Sequence, residues 1–240
     1  MPQIKQLQLK VEILAEHELF IAINKPCGLL TVPSALAPDK QTCMSALRDQ
    51  VGARVYPVHR LDRATSGVLL FARTSESARM IAEIFADRSV SKTYIAVVRG
   101  HLLEPGTIDH PIAETKHARP TEAITQFTPL SQIELPIPVG RYATARYTLL
   151  SLTPLTGRNH QLRRHLAHLR HPIIGDTIYG DGRHTAMFRQ QLGIHRLMLH
   201  ASAISLPALN AAPPATITAP TPEEFTRLFP DYSAPAPQRW

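Results

Sequence analysis

Residues 58–72 read Val58-His59-Arg60-Leu61-Asp62-Arg63-Ala64-Thr65-Ser66-Gly67-Val68-Leu69-Leu70-Phe71-Ala72. The first half is a charged loop; the second, residues 68–72, is a short continuous apolar run of the kind a buried strand requires. Just downstream, Thr74-Ser75-Glu76 reads as a helix start with an acid in its first turn. Ala78, Ile81, Ala82 and Phe85 then recur at i, i+3, i+4 and i+7, the stripe of a helix packed on a sheet. Residues 92–98 alternate, with Tyr94, Ala96 and Val98 on one face of a strand and Ile95 and Val97 on the other. The loop of Asp62 is therefore set into a strand, helix, strand unit.

Working outward, a strand is expected over 19–23, stopped by Asn24-Lys25-Pro26-Cys27-Gly28. A loop carrying Pro33 and Pro38 follows, then a short helix over 42–51. Residues 105–138, rich in Pro, Thr and Gln, read as hairpins and loops with a strand over 124–127. Further strands are expected over 147–152 and 197–206, with a helix between them over 160–169 that buries Leu162, Leu166 and Leu169. The Gly-rich stretch 175–182 reads as a turn. The Pro-rich segment 207–240 holds a strand over 216–218 and a short helix with Thr221 as cap and Pro222 as its first residue. Strands outnumber helices and come in runs, so the expected class is α+β: a mostly antiparallel mixed sheet with flanking helices. No linker divides the chain, and one domain over 1–240 is expected, with its core over 17–206.

Of 240 residues 44% are hydrophobic, enough to bury a substantial core. No apolar run approaches the roughly 18 residues of a membrane span, and residues 1–10 lack the apolar region of a secretory signal, so a cytoplasmic protein without membrane contact is expected. Cys27 and Cys43 are the only cysteines, too few for a disulfide scaffold or a four-thiolate zinc site. The net charge of +7 suggests a polyanionic partner such as nucleic acid, or simply a basic face. From 135 to 175 there is no Asp or Glu, while Arg141, Arg146, Arg158, Arg163, Arg164 and Arg170 fall in that window. All are Arg, whose planar fork suits phosphate or carboxylate.

Two constellations carry chemistry. Asp62, flanked by His59, Arg60 and Arg63, is expected to be ionised and available as a nucleophile, or else to pin its loop through ion pairs. In Thr156-Gly157-Arg158-Asn159-His160-Gln161-Leu162-Arg163-Arg164-His165, burial of the leucines places Arg163 on a flank of the buried stripe. Arg163 is thereby able to reach inward to a buried carboxylate, for which Asp62 is the best candidate. His165, His168 and His171 are spaced three apart, but no acid accompanies them and the interleaved Arg would repel a cation, so no metal site is expected. There is no G-x-S-x-G elbow, no G-x-x-x-x-G-K-[ST] loop and no G-x-G-x-x-G after a strand. Nor does Asp62 have the facing carboxylate a glycosidase needs. Side chains alone are expected to do the chemistry, without a cofactor.

His59-Arg60-Leu61-Asp62 with Thr65-Ser66-Gly67, Lys92-x-Tyr94, and Thr156-Gly157-Arg158-x-His160-Gln161-Leu162-Arg163, preceded by Asn24-Lys25-Pro26-x-Gly28, together resemble the RluA family of RNA pseudouridine synthases. Gly140-Arg141-Tyr142, Thr144-x-Arg146-Tyr147, residues 163–169 and Arg196-Leu197-Met198-Leu199-His200-Ala201 are most similar to its members that modify uridine 65 of tRNA. The resemblance implies the pseudouridine synthase catalytic fold with no S4-like domain before Asn24, and tRNA as partner; a monomer is expected by default. Ribosomal RNA is the alternative substrate, and a non-catalytic RNA-binding protein on this scaffold the alternative from another class. It implies Asp62 as nucleophile on the ribose of a flipped uridine, Tyr94 against the uracil and as base for the C5 proton, and Arg163 in a salt bridge to the carboxylate. Arg60 resembles the residue that fills the space the base leaves. His59, Arg63, Arg158, His160, Gln161, Arg164 and Leu199 complete the expected substrate-binding set.

Overall fold

The computed structural model describes residues 9–34, 41–115, 117–209 and 213–233. In chain order the elements are β1 (Glu12–Glu16), β2 (Phe20–Lys25), α1 (Cys43–Val51), β3 (Tyr56–Pro57), β4 (Ser66–Ala72), α2 (Ser75–Ala86), β5 (Ser91–Arg99), β6 (Gly106–Asp109), β7 (Ile124–Leu135), β8 (Ala145–Pro154), α3 (Gln161–His168), α4 (Gly182–Leu192), β9 (Leu199–Leu206), β10 (Ala215–Thr218) and α5 (Glu223–Leu228). The strands form one mixed sheet in the order β1-β2-β4-β9-β5-β8-β7-β6, with β10 on β9 and β3 on β4. Every pairing is antiparallel except β4 with β9, which meet through Ser66 opposite His200 and Gly67 opposite Ala201. Gly67 has φ +112, and a Cβ there would collide with the Ala201 carbonyl, so only glycine permits this contact. All seven residues of β4 are buried, in keeping with its unbroken apolar run between β2 and β9.

Thr42 and Thr74 cap α1 and α2, each accepting from the N–H three residues on, with Ser45 and Ser77 answering back to the cap. The α2 stripe is Ser77, Ala78, Ile81, Ile84 and Phe85; Ala82 faces solvent, so the face sits slightly off the expected one. Leu162 and Leu166 of α3, Phe188 of α4 and Phe225 of α5 join the largest apolar cluster with β5, β7, β8 and β9.

Strands β1 and β6 are not among those expected from the sequence, and three further elements depart from its reading. The Gly-rich turn is followed at once by α4, which begins on the last glycine of that stretch and is capped by the Asp181 carboxylate accepting from Arg183 N–H. Strand β7 continues well beyond residue 127, because a bulge between Pro129 and Ser131 lets the chain pass a proline and keep pairing with β8. At the C-terminal end Pro222 is extended and takes the cap position, so α5 starts one residue later than expected and Thr221 is not its cap. Pro38, residues 1–8 and parts of the Pro-rich segment (210–212 and 234–240) lie outside the described residues. Among the described residues no helix is long and apolar enough to cross a membrane.

Candidate active site

The loop between β3 and β4 is held from below by the segment that follows β2. Lys25, fully buried, donates from Nζ to the carbonyls of Pro26 (3.0 Å), Arg63 (3.0 Å) and Thr65 (2.7 Å). Burial lowers the pKa of this ammonium to about 8. Gly28 N–H donates to Arg63 O at 2.9 Å, Arg63 Nε returns to Gly28 O at 2.9 Å, and Cys27 Sγ reaches Ala64 O at 3.0 Å. Thr31 Oγ1 both donates to Leu61 O (3.1 Å) and accepts Leu61 N–H (3.3 Å). The Asn24-Lys25-Pro26-Cys27-Gly28 block is thus a bracket that fixes the backbone on either side of Asp62.

Arg163, on α3, meets two carboxylates. Its Nε and Nη2 make a bidentate pair with Asp176 at 2.7 and 2.8 Å, and Nη1 donates to Asp62 Oδ2 at 3.2 Å. The Asp176 side chain is 1% exposed and that of Asp62 27%. Asp176 Oδ1 also accepts the N–H groups of Ile178 (2.9 Å) and Tyr179 (3.0 Å). Burial alone would raise the Asp176 carboxyl, but Arg163 and these two donors hold it below the usual carboxylate range. Burial works likewise against the charge of Arg163, yet Asp176 and then Asp62 raise its pKa above the ordinary value. The principal partner of Arg163 is therefore Asp176, thirteen residues on; Asp62, the partner expected from the helix geometry, takes the remaining nitrogen.

The circuit closes through Tyr179 and His160. The Tyr179 ring lies 5.3 Å from the Arg163 guanidinium carbon, its hydroxyl is 3.1 Å from His160 Nδ1, and His160 Nε2 is 3.8 Å from Asp62 Oδ2. His160 occupies the cap of α3 in a left-handed conformation (φ 54) and turns its ring back over the site. Burial lowers the His160 pKa, with the Asp62 charge opposing. Both carboxylate loops rest on residues 196–201. Gly67 abuts Ala201, Gly175 (φ +80) abuts the Arg196 carbonyl where a Cβ would collide, and Arg196 Nη2 donates to Ser66 Oγ.

These residues open into a cleft of about 960 Å³ lined by His59, Arg60, Asp62, Tyr94, Arg158, His160, Gln161, Arg163 and Leu199 among others. Tyr94 sits on β5 opposite Ala201, and Ala96 opposite Leu199. Burial, reinforced by the Asp62 charge, raises the Tyr94 pKa and keeps the phenol protonated. His59 Nε2 accepts Leu70 N–H at 3.0 Å, its ring stacks on Phe85, and burial lowers its pKa to about 3, so it is a neutral wall of the cleft. Gln161 turns inward: its Oε1 accepts from Thr156 Oγ1 (2.8 Å) and Arg158 N–H (3.0 Å), and its Nε2 donates to Ile124 O (3.0 Å) and Thr125 Oγ1 (3.1 Å). Arg158 Nε is held by Glu122 O at 3.0 Å. Arg63 and Arg164 are not brought into the cleft lining; Arg164 Nη1 donates to Ala113 O at 2.8 Å. His165 lies between Thr125 Oγ1 and His110 O, His168 stacks on His110, and His171 meets Arg99 O, so the three histidines serve separate contacts.

Asp176 and Tyr179 went unread in the sequence. The signal for them was the glycine spacing: Gly175 and Gly180 flank the acid, and a Cβ on Gly180 would collide with the Asp176 carbonyl.

Residues 19–168 match the family model described as RNA pseudouridylate synthase. The chain belongs to that family. Its curated relatives include proteins named tRNA pseudouridine synthase C from Vibrio parahaemolyticus (46% identical over 209 residues, 82% of this chain and 84% of that one), Vibrio cholerae (43% over 233 residues, 92% and 96%) and Yersinia pestis (45% over 230 residues, 91% and 90%). Among solved structures it is similar to human RNA pseudouridylate synthase domain containing 1 (TM-score 0.71, 28% identity, 89% of this chain and 84% of that one). Human RNA pseudouridylate synthase domain containing 4 gives 0.69 at 26% identity, covering 90% of each. As a member of the RNA pseudouridylate synthase family the protein is an isomerase, and its mixed sheet with few helices is the pseudouridine synthase fold.

Proposed function

We propose that this enzyme converts uridine 65 of tRNA to pseudouridine, with Asp62 as the nucleophile. The tRNA substrate rests on the names of the relatives, and the position on the likeness of residues 140–147, 163–169 and 196–201 to members acting there. One observation carries the chemistry: Asp62 lies at the cleft with Oδ2 oriented by Arg163, while among the described residues Oδ1 has no partner. A carboxylate so held is oriented on one side and available on the other.

The uridine has to leave its stack to reach this depth, and the cleft volume accommodates one extruded nucleotide. Arg60, exposed at the mouth, takes the vacated space in the RNA. Asp62 attacks ribose C1′ and the C1′–N1 bond breaks with its electron pair retained by the uracil. The base turns, C5 bonds to C1′, and the carboxylate leaves. Tyr94 lies against the ring; because its phenol is protonated, it accepts the C5 proton only as its own O–H proton is passed on, and a proton taken up from solvent by N1 neutralises the pair retained there, so that Asp62 leaves as the free carboxylate. No electrons enter or leave overall, so the step needs no redox partner.

Asp62→Asn tests the reading. With tRNA labelled with tritium at C5 of uridine, the parent should release tritium and the variant should lose release by at least about a thousandfold while still binding tRNA. Undiminished release would remove Asp62 from the chemistry. No release by the parent would favour a binding protein on this scaffold. Carbodiimide-stop mapping of total RNA from cells with and without the gene then reads the target, and an unchanged tRNA position 65 with a lost ribosomal site would replace tRNA by ribosomal RNA.

A further inference from the structure

The cleft contains a cation that the reaction as derived does not use. Lys92 lies on β5 among the cleft-lining residues, with Nζ 3.8 Å from where a Cβ of Gly157 would stand, and it is half-buried. Most of the other lining cations are committed to the protein: Arg163 to Asp176 and Asp62, Arg158 to Glu122 O, and Arg88 to the Glu122 carboxylate at 2.6 Å. Arg60 has no side-chain partner among the described residues, but it is exposed. Among the lining cations, Lys92 alone combines partial burial with the lack, among the described residues, of any side-chain hydrogen bond or ion pair. Its neighbour His59 is not a rival cation: its Nε2 accepts Leu70 N–H and burial keeps the ring neutral. Burial lowers the Lys92 pKa with no carboxylate offsetting it.

A desolvated ammonium without a counter-charge is costly and is relieved by an anion that arrives with the ligand. In an RNA the available anion is the backbone phosphate, and lysine is a point-charge phosphate binder that tolerates its varied geometry. We propose that Lys92 is a phosphate subsite, its Nζ donating to a non-bridging oxygen of the phosphate adjoining the nucleotide in the cleft. The proposal rests on the reading of the site as an RNA site and adds to it a residue that binds backbone rather than base.

Binding of unmodified tRNA to the parent, Lys92→Gln and Lys92→Arg is measured from 50 to 300 mM KCl, alongside tritium release at saturating tRNA. Lys92→Gln should bind about tenfold more weakly at 0.1 M salt, with the slope of log affinity against log salt reduced by about one ion, and Lys92→Arg should restore most of both. Release at saturation should fall by less than affinity does in Lys92→Gln. Equal affinity and slope for Lys92→Gln and the parent, or a loss confined to turnover, would overturn the proposal. Reductive methylation of the parent with and without saturating tRNA, read by mass spectrometry, gives the same answer without a substitution. Protection of Lys92 is expected, and labelling at an unchanged rate would overturn it. A parent that binds tRNA but releases no tritium would defeat the catalytic reading while leaving the Lys92 result standing.

Discussion

The two loops that meet at Arg163 carry the same functional group in opposite settings. Asp176 is sealed, bidentate on Arg163 and backed by two backbone N–H groups, so nearly all its acceptor capacity is spent. Asp62 takes one longer hydrogen bond from Arg163 and keeps an oxygen facing the cleft, while its loop is stiffened by the bonds that Lys25, Gly28 and Thr31 make to the backbone of Leu61, Arg63 and Thr65 on either side of it. One carboxylate fixes the arginine; the other is oriented by it and, in the proposed function, is the one that reacts. A charged nucleophile with all its lone pairs engaged would be too well solvated by the protein to attack, and one held by nothing would lose orientation.

The comparison breaks most visibly by removing each carboxylate in turn. Asp62→Asn should abolish turnover, as described above, and leave the melting temperature near that of the parent, because the group is partly exposed. Asp176→Asn should do both kinds of damage. It leaves Arg163 buried with one weak partner, so the unfolding free energy should fall by about 3 kcal/mol, and kcat by roughly a hundredfold through misplacement of Asp62. Urea unfolding and single-turnover release measure the two. Equal stability of parent and Asp176→Asn would show that Arg163 is held by something other than the bidentate pair.

The asymmetry between the loops also marks how far the sequence could be read. The strand at 68–72, the helix of Arg163 and the inward direction of that side chain follow from local periodicity, because 3.6 residues per turn ties Arg163 to Leu162 and Leu166. Asp176 has no such tie. It reaches Arg163 through a loop whose course is set by Gly175 against Arg196 and Gly180 against its own carbonyl, both contacts of tertiary structure. The same stretch hid α4, since a helix that starts on Gly182 and continues Arg-His-Thr shows no apolar stripe until Met187 and Phe188. Strand β1 was equally silent: Glu12–Glu16 has a bulge between Ile13 and Ala15 that breaks its alternation.

The bracket under Asp62 offers a smaller and more selective perturbation. Thr31→Val keeps the shape of a buried side chain but leaves the N–H and C=O of Leu61 without their hydroxyl partner. Two stranded backbone groups should cost about 2 kcal/mol in unfolding free energy. Among the described residues the Asp176 loop makes no hydrogen bond to this bracket, so Thr31→Val should raise the mobility of the Asp62 loop alone. Faster hydrogen exchange at residues 61–65 with unchanged exchange at 176–180 is the expected pattern, and equal loosening of both would deny that the bracket is local.

The smallest effect separates the loops by proton. On the Asp62 side His59 is neutral, its pKa lowered by burial to about 3, and its Nε2 must stay unprotonated to accept Leu70 N–H. Unfolded histidine titrates near about 6.5, so between these values the unfolded chain holds the extra proton. The contribution of His59 to stability is therefore complete above about pH 6.5 and is lost as pH falls toward 3, with a limiting slope of about 1.4 kcal/mol per pH unit. His59→Gln, which keeps an acceptor but does not titrate, should flatten the stability profile between pH 6 and 4.5 by up to that slope. Asp176 is lowered below 3.8, so its contribution is present above 3.8 and is lost only as pH falls through its lowered value. Asp176→Asn should shift the whole profile down between pH 6 and 4.5 without changing its slope. Urea unfolding at half-unit pH steps distinguishes the two, and a His59→Gln profile parallel to the parent would mean that this histidine accepts a proton in the folded protein.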